Sequence, residues 1–588
     1  TKGYSLFINS FYRIRADIGR VSKGLRITTA GPKADIYVFT GSVLENMEEY
    51  TALTGKPLLP PAWVFEPWAG GGVGRWMDGP THDVIQEMEG VVRKFKNLDI
   101  PHSGLYAEGA GWKWEDHYNK EEIYKIAAFT KQQKMRVFSW QFSHLDMEQA
   151  KELLPNCAEE DLPITRTPDY HGEKVLPCAI DFSHPRAEEL LENQWHDRMD
   201  AGFDGTMVDF GEIIPDEAVF YDGRTGDEMH NAYALDYTKA YRKLFEKYKG
   251  EDHVLFSRSA AAGVQKYSCQ FGGDQLSSFR GLTYAMNGGL TLAASGFPFW
   301  GVDAGGYSGF ADEETYLRWT EFAAFSPIMR FHGVTPREPW VYSRYAVSVY
   351  KFYAWLRENL LKYSVHTAEE AHKTGIPMMR PLPMVFPKDK EAVYWEDEYF
   401  YGSDLLVAPV HQEGEQRRIY FPAGRWINLL DFRKMVGGNR ILQVDVPIDK
   451  IPVYIREGAC ILSVMNGELQ LGQSMTYEKK NTVLMSRALN ETSGKRYADG
   501  KEIEYNILGQ TGEDFFMLRH ASETEFIVLL GFDRKPESLE LNGISLSEGA
   551  SLNALNYGSG WYWREDTAVI VSVPKLEKTE IHVVYKEQ

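Results

Sequence analysis

The sequence predicts an α/β protein, a (β/α)8 TIM barrel that is flanked by β-sandwich domains, one N-terminal remnant and two C-terminal ones. Short apolar runs alternate with amphipathic helices between about residues 62 and 365, which is the pattern of a parallel sheet. Strand-like runs divided by polar turns fill the chain before and after this region. The 588 residues are 43% hydrophobic and 25% charged, a globular composition that is large enough for several domains.

Residues 1–57 are predicted to form the end of an N-terminal β-sandwich and a connector. The strand-like runs here are Tyr4–Asn9, Gly24–Thr29 and Ala34–Thr40. A helical stretch follows near Val43–Thr54, and Pro60 and Pro61 mark the boundary because proline neither continues a helix nor donates to a strand ladder. The chain opens with Thr1 in the middle of this β-region, so we expect an upstream segment, with any targeting signal, to be missing.

Residues 58–365 are predicted to form the barrel, because eight candidate strands in about 300 residues match the size of this fold. The strands are Trp63–Trp68, Ser103–Ala107, Arg136–Phe142, Thr206–Phe210, Val254–Ser257, Ser268–Phe271, Phe297–Val302 and Ile328–Phe331. An insertion is predicted near residues 146–182, where Pro, Gly and polar residues interrupt the helices. The helix after the fourth strand, Asn231–Tyr248, carries Lys and Arg towards its end and stops at Gly250.

The helical pattern gives way to strand-like runs after about residue 366. Residues 366–464 are predicted to form a proximal C-terminal β-sandwich, and residues 465–588 a distal β-domain.

Composition and charge exclude several classes of partner. The net charge of −19 argues against nucleic acid and anionic membrane surfaces, because phosphate binding needs clustered cations. The four cysteines lie without CxxC spacing or nearby His pairs, so we expect neither a disulfide framework nor a metal, and no cofactor. Cysteine usage favours a reducing compartment and hence the cytoplasm. The sequence holds no apolar run near 18 residues and leaves a homo-oligomer open.

Ionisable side chains follow the predicted barrel strands one after another. Glu108 follows strand two, His144 strand three, Asp209 and Glu212 strand four, Arg258 strand five, Asp274 strand six and Asp303 strand seven, and Arg330 and His332 flank the end of strand eight. The carboxyl ends of barrel strands meet at one rim, where active sites of this fold are built. Two carboxylates in one such rim are the minimum equipment for glycoside hydrolysis.

Asp209 and Asp274 are the candidate pair. A nucleophilic carboxylate must stay ionised, and Arg258 is the candidate cation for Asp209. A proton donor must hold its proton, which burial and a neighbouring negative charge favour. Gly272 and Gly273 let the backbone before Asp274 approach a substrate closely.

The chain resembles glycoside hydrolase family 31, the retaining α-glycosidases, over nearly its whole length. The resemblance is carried by Gly3–Ser10, Leu59–Trp63, Asp181–Pro185, Val208–Glu212, Arg258–Ala260, Gln265–Lys266, Gly272–Gln275, Gly296–Trp300, Asp303–Gly306, Met329–Gly333, Pro377–Pro381 and Leu406–Val410. It implies that Asp209 is the nucleophile and Asp274 the acid/base. It also implies that Arg258, Asp303 and His332 hold sugar hydroxyls and that Trp300 and Phe210 shape the first sugar subsite. Further substrate-binding candidates are Glu108, Trp140 and Phe271.

Departures from the family pattern bear on the sugar. Glu108 stands where many members place an Asp, and Met207 stands where the family's α-xylosidases place a Lys. Sulfoquinovosidases share that Met, but their Arg-x-x-Trp element is not found near Trp112 and Trp114. The resemblance therefore implies an exo-acting α-glycosidase for small or oligosaccharide α-glycosides, with an α-glucoside-type substrate. An α-galactosidase, α-xylosidase or sulfoquinovosidase, a transglycosylase or lyase outcome, and a non-catalytic carbohydrate-binding barrel remain alternatives.

Overall fold

A curled parallel sheet forms the core of the structure, a computed structural model that describes residues 3–21, 23–69, 84–107, 119–165, 178–433, 435–498, 500–565 and 567–585. Its hydrogen-bonded strands are, in spatial order, Trp68–Ala69, Gly104–Tyr106, Arg136–Phe142, Gly205–Asp209, Val254–Ser257, Cys269–Phe271 and Trp300–Gly301. Parallel bridges join Ile328 to Gly301 and Arg330 to Trp68, so residues 328–331 close the sheet into an eight-membered barrel. The predicted fold class is confirmed.

The prediction of a first barrel strand over Trp63–Trp68 is wrong for most of these residues. Residues Ala62–Phe65 form a 3₁₀ helix that starts at Pro61, and only Trp68–Ala69 joins the sheet. Val64 and Phe65 are completely buried in this helix. A short, wholly buried apolar run has no periodicity that separates a helical turn from a strand, which explains the error.

The helices of the barrel region begin at residues that suit helix starts. They span Val84–Asn97, Lys120–Gln132, Met147–Leu153, Ala187–Ala201, Gly226–Met229, Ala232–Lys249, Phe279–Ala294, Glu313–Ala324, Arg344–Asn359 and Leu361–Thr374. The side chains of Asn119 and Asp312 each accept a hydrogen bond from a backbone N–H in the first turn of the helix that follows. The helix predicted over Asn231–Tyr248 is present as Ala232–Lys249 and ends at Gly250, whose φ of 58° is left-handed.

The insertion predicted near residues 146–182 holds little regular structure among its described residues. It contributes the helix Met147–Leu153, the 3₁₀ turn Glu159–Asp161 and the strand Cys178–Ala179, which pairs antiparallel with His144–Leu145. The strand His144–Leu145 follows the third barrel strand, Arg136–Phe142, after a single residue.

The N-terminal residues form two antiparallel strand pairs and one helix. Tyr4–Asn9 pairs with Asp35–Thr40, and Ile14–Ile18 pairs with Leu25–Thr29. The helix Val43–Thr54 starts at Ser42, whose side chain and the third helical residue, Glu45, cap one another's backbone.

Two groups of sheets follow the barrel, and their strands are antiparallel except for the parallel pair Lys480–Ser486 and Phe526–Leu530. The first holds Met379–Pro381, Tyr399–Tyr401, Leu405–Val407, Val453–Arg456, Arg425–Asn428 and Met435–Gly437, with the pair Gln416–Phe421 and Arg440–Asp445. The second stacks Cys460–Met465, Lys480–Ser486, Phe526–Leu530, Ala568–Ser572 and Gly560–Arg564 on Thr492–Ala498, Lys501–Gln510, Glu513–Arg519, Lys578–Val584, Ser538–Leu541 and Ile544–Ser545. The helix Leu361–Thr374 crosses the predicted boundary at residue 365, because its apolar face packs on the sheets as well as on the barrel.

Buried arginines join the barrel to these sheets. The fully buried guanidinium of Arg318 donates to the backbone carbonyls of Gly414, Val446, Pro447 and Lys450 at 3.0 to 3.3 Å. Its position in the helix Glu313–Ala324 thereby ties the barrel to two loops of the first sheet group. In the part of the chain that the structure describes, no helix is both long and apolar enough to cross a membrane.

Candidate active site

Two carboxylates reach one pocket from the ends of two barrel strands. Asp209 is the last residue of the buried strand Gly205–Asp209, and Asp274 follows the strand Cys269–Phe271 after two glycines. The pocket measures about 240 Å³ and is lined by Trp140, Phe142, Met207, Asp209, Phe210, Phe271, Asp274, Asp303, Tyr307 and His332. This volume lies below the roughly 300–1,000 Å³ of sites for drug-sized ligands and suits a single sugar ring.

The carboxylate of Asp209 is held by two hydrogen-bond donors and an ion pair. The indole Nε1 of Trp140 donates to Oδ2 at 2.9 Å, and the backbone N–H of Phe210 donates to Oδ1 at 2.8 Å. The guanidinium of Arg258 lies 3.1 Å from Oδ1. Burial raises the pKa of Asp209, while Arg258, Trp140 and the Phe210 N–H oppose this rise. These donors fix the orientation of the carboxylate and favour its ionised form.

The backbone behind Asp209 is held as firmly as its side chain. Phe210 adopts a left-handed φ of 59°, which costs a bulky residue on the order of 1–3 kcal/mol. Ser259 Oγ donates to the carbonyl of Phe210 at 2.8 Å, and the buried Tyr237 hydroxyl donates to the carbonyl of Asp209 at 3.2 Å. The Arg258 guanidinium also lies 3.8 Å from the Phe210 ring centroid. Together these contacts offset the strain and aim both side chains at the pocket.

Arg258 connects two carboxylates at this rim. Its other terminal nitrogen donates to Oε1 of Glu212, whose side chain is 47% exposed. Glu212 therefore points away from the pocket and supports Arg258 from the solvent side.

Asp274 contrasts with Asp209 because its carboxylate is exposed at the pocket mouth and forms no hydrogen bond with any residue that the structure describes. Enclosure on its pocket side raises the pKa of Asp274, whereas Arg258 and Arg330 oppose the rise and Glu212 adds to it. The residue before Asp274 is Gly273, whose φ of 76° is left-handed. A carboxyl group with a raised pKa and rotational freedom suits proton donation and removal.

The floor of the pocket is a buried charged pair and a histidine. Asp303 and Arg330 are each 1% exposed and share a hydrogen bond through Oδ1, while Oδ2 of Asp303 has no partner among the described residues. Burial raises the pKa of Asp303 to about 7, against the opposing effect of Arg330. Burial, with the charges of Arg330 and Arg337, lowers the pKa of His332 well below its usual range, so its imidazole is neutral. These groups offer acceptors and donors for sugar hydroxyls.

Aromatic rings and Met207 form the apolar wall. The rings of Trp140 and Phe142 are nearly parallel with centroids 6.0 Å apart, and Phe142 meets Phe210 edge to face at 4.6 Å. Such apolar surface suits the C–H face of a sugar ring, opposite the polar floor.

The structure brings together most of the residues that the sequence predicts for the site. Asp209, Asp274, Asp303, His332, Phe210, Trp140 and Phe271 line the pocket, and Arg258 joins them through Asp209. Glu108 lies outside the described residues, as do Trp112 and Trp114. His144 is occupied by hydrogen-bond contacts with Ser143 Oγ and the carbonyl of Ile213, and burial lowers its pKa to about 4.

Trp300 does not reach the pocket. Its side chain is completely buried and packs against Gly289 and the ring of Phe322 on the helices around the barrel. Successive side chains of a strand point to opposite faces, and Trp300 occupies the outward position of the strand Trp300–Gly301. The indole therefore stabilises the barrel wall instead of the sugar subsite.

Three residues of the pocket, Phe142, Met207 and Tyr307, are absent from the predicted site residues, although Met207 was considered for its bearing on the sugar. Phe142 ends the third strand and lies two residues after Trp140, so strand alternation could have placed both rings on the same face. Tyr307 comes from the loop after the seventh strand, and no periodicity predicts where a loop residue points.

Comparison with known proteins identifies the family. The model of the glycosyl hydrolases family 31 TIM-barrel domain matches residues 57–367, more than half of the chain. The chain belongs to glycoside hydrolase family 31. The model of the family 31 C-terminal domain matches residues 375–461. The resemblance predicted from the sequence is thereby confirmed.

Relatives within family 31 carry several different names. The chain is 27% identical to an isomaltosyltransferase of Sporosarcina globispora, over 96% of this chain and 57% of that protein. It is 28% identical to an α-xylosidase of Emericella nidulans, over 78% of this chain and 61% of that protein. The chain thus spans about three fifths of the length of these relatives.

A solved structure in the family has the same fold over almost the whole chain. The cycloalternan-forming enzyme from Listeria monocytogenes, solved with a pentasaccharide substrate, superposes with a TM-score of 0.87 at 23% identity. The match covers 99% of this chain and 60% of that one.

Proposed function

We propose that the chain is the catalytic part of an exo-acting retaining α-glycosidase that hydrolyses terminal α-linked hexosides. One observation carries the proposal: Asp209 is fixed by two hydrogen bonds and an ion pair with Arg258, in a sugar-sized pocket that it shares with the exposed Asp274. The first carboxylate is immobile and favoured as an anion, and the second is free to exchange protons with a substrate oxygen. This division of roles is the one that double displacement requires.

In the first step Asp209 attacks the anomeric carbon while Asp274 protonates the departing glycosidic oxygen. The C–O bond to the leaving group breaks as the bond to Oδ of Asp209 forms, which leaves a covalent glycosyl-enzyme. In the second step Asp274 removes a proton from water, and the resulting hydroxyl displaces Asp209 from the sugar. Arg258 assists both steps because it stabilises the carboxylate of Asp209 before attack and after release.

The pocket supports removal of one terminal unit at a time. Asp303 and His332 close its floor and would accept and donate hydrogen bonds to hydroxyls of the bound ring. Met207 and Phe271 contribute apolar surface, and the rim at Asp274 is the exit towards the leaving group. We place Trp300 outside this subsite and retain Asp303, His332, Phe210, Trp140 and Phe271 within it.

For the sugar we propose an α-glucoside-type unit. The matches that cover almost the whole chain include an isomaltosyltransferase and a cycloalternan-forming enzyme crystallised with a pentasaccharide, which favours an oligosaccharide substrate. An α-xyloside, an α-galactoside and a sulfoquinovoside are the alternatives. The same two names favour a second candidate outcome, transfer of the sugar from Asp209 to another sugar hydroxyl instead of to water.

The test is hydrolysis of aryl α-glucoside, α-xyloside, α-galactoside and α-sulfoquinovoside by the wild type, Asp209→Ala and the surface control Asp216→Asn. We expect one glycoside to be cleaved by wild type and control but not by Asp209→Ala. Proton NMR of the first product should show the α-anomer, and mass spectrometry after reaction with a fluorinated glycosyl fluoride should locate the adduct on Asp209. A β-anomer as first product, or full activity of Asp209→Ala, would refute the proposal.

The same assay decides between hydrolysis and transfer. With added maltose or isomaltose, a transglycosylase would release aryl alcohol faster than free sugar and would build longer oligosaccharides. A hydrolase would release the two in equal amounts once the sugar that it frees from the disaccharide alone is subtracted.

A further inference from the structure

A single buried arginine fastens three loops of the barrel rim to one another. Arg337 follows the eighth strand and is 3% exposed, and it does not line the pocket. Its Nε donates to the carbonyl of Gly306 at 2.9 Å, and Nη2 donates to the carbonyls of Gly306 and Gly309 at 2.6 and 2.8 Å. Its Nη1 donates to the carbonyl of Thr335 at 3.0 Å. The loop after the seventh strand is thereby tied to the loop after the eighth.

The third loop is the one that carries Asp274. Nη2 of Arg337 donates to Oγ of Ser277 at 3.0 Å, and that hydroxyl donates to the carbonyl of Gly309 at 3.2 Å. The arginine therefore contacts the Asp274 loop directly and also holds the segment on which this loop rests.

Backbone hydrogen bonds connect the same two loops beside the arginine. The N–H groups of Tyr307 and Ser308 donate to the carbonyl of Gln275 at 2.8 and 3.0 Å, and Ser277 N–H donates to the carbonyl of Ser308 at 3.0 Å. The contact is so close that a Cβ at Gly306, whose φ is 79°, would lie 2.5 Å from Cα of Ser277. The loop of Asp274 is thus seated on the segment 306–309, and Arg337 holds that segment in place.

The position of the Asp274 carboxylate depends on this seating. Asp274 forms no hydrogen bond with any described residue, whereas Asp209 accepts two hydrogen bonds and pairs with Arg258. The backbone of residues 272–278 therefore sets the point from which the freely rotating carboxyl group of Asp274 reaches a glycosidic oxygen. A shift of about 1 Å in such a group can cost about 100-fold in rate.

We propose that Arg337 is a positioning residue that sets the place of the acid/base Asp274 without touching the substrate. The inference rests on the proposed function, because it takes Asp274 as the acid/base. Arginine suits this task since its planar fork of five N–H donors reaches carbonyls on several loops at once. Lysine keeps the charge but has a single nitrogen, so it cannot hold the same set of carbonyls.

The test compares substrates with good and poor leaving groups in Arg337→Lys and Ser277→Ala. Departure of a dinitrophenolate needs little protonation, whereas departure of an alkyl or sugar alcohol needs the acid in place. For Arg337→Lys we expect kcat/KM to fall about 10- to 100-fold on poor leaving groups and less than about threefold on dinitrophenyl glycosides. Ser277→Ala removes one contact of Arg337. It should also lower kcat/KM more on poor leaving groups than on dinitrophenyl glycosides, but by a smaller factor. Azide attacks the glycosyl-enzyme intermediate without a general base. It should therefore restore the kcat of Arg337→Lys on the dinitrophenyl glycoside.

A matched control is provided by Arg357, another buried arginine that donates to backbone carbonyls, here of Phe65 and Ser326 at 2.7 and 2.6 Å. Arg357→Lys should lower Tm and change kcat/KM by the same factor on both classes of substrate. Equal losses on both classes in Arg337→Lys and Ser277→Ala would overturn the inference. If Arg337→Lys fails to fold, Ser277→Ala alone decides by the same criterion.

Asp274→Ala separates this inference from the proposed function. If that variant shows no dependence on the leaving group, the acid/base role of Asp274 is refuted and the positioning role with it. If Asp274→Ala loses more activity on poor leaving groups but Arg337→Lys and Ser277→Ala do not, only the positioning role of Arg337 is refuted.

Discussion

The hydrogen bond from Trp140 to Asp209 can be removed without emptying the pocket wall. Nε1 of the indole lies 2.9 Å from Oδ2, and both residues are buried, at 7% and 8% exposure. Trp140→Phe keeps an aromatic ring in the same place and deletes only the donor and part of the ring. The carboxylate of Asp209 would then retain its ion pair with Arg258 and the hydrogen bond from the N–H of Phe210.

The expected effect is a displaced pH profile. A hydrogen bond to a charged group contributes about 1.5–3 kcal/mol, and about 1.4 kcal/mol corresponds to a tenfold change in a protonation equilibrium. Trp140 favours the ionised form, so its loss raises the pKa of Asp209 further above the usual range. Because the free enzyme must hold Asp209 ionised, the acid limb of the kcat/KM profile should move up by about 1 to 2 pH units.

The assay is kcat/KM on an activated aryl α-glycoside between about pH 4 and 8, with Trp195→Phe as the matched control. Trp195 is completely buried and donates to Oε1 of Gln141 at 3.1 Å, outside the pocket. The control should lower the free energy of unfolding by about 1 kcal/mol or more and leave the acid limb unchanged. An acid limb of Trp140→Phe that coincides with the wild type, or moves to lower pH, would refute the reasoning.

Further variants test the other parts of the site. Asp209→Ala should abolish turnover with an unchanged circular dichroism spectrum; loss of folding would point to a structural role. Asp274→Ala should reduce kcat/KM on natural glycosides far more than on aryl glycosides with good leaving groups, and equal losses would contradict its role. Arg258→Met should lower both the burst and the steady-state rate, so normal activity would remove it from the site. Arg330→Met leaves Asp303 without its buried partner and should cost about 3 kcal/mol in urea unfolding at pH 8; a cost below about 1 kcal/mol would contradict this pairing.

The barrel and its catalytic pair were predictable because parallel strands place their C-terminal residues at one rim. Asp209 ends the strand Gly205–Asp209, and Asp274 follows the strand Cys269–Phe271, which lies two strands further on in the sheet. The order of the parallel strands is therefore enough to predict that the two carboxylates meet at one rim. The positions of Asp303 and His332 followed from the same rule, and both residues line the pocket.

The errors came where local pattern does not determine side-chain direction. The strand that holds Trp300 is two residues long, too short for alternation to show which face points outwards. The run at Val64 and Phe65 is buried on all sides, so its helical turn had no periodic signature. Tyr307 reaches the pocket from a loop whose shape depends on Arg337, a contact between residues 30 positions apart. Such contacts are properties of the assembled fold, and the sequence alone does not place them.

The buried attachment of Arg318 has a consequence for fragments of this protein. A barrel expressed without the residues after about 374 would leave that guanidinium facing solvent-filled space and would expose the apolar side chains of the helix Leu361–Thr374. Such a truncated chain should aggregate when it is produced in cells. We therefore expect the barrel and the two sheet groups to fold together, so a library for directed evolution of this site is best built on all three.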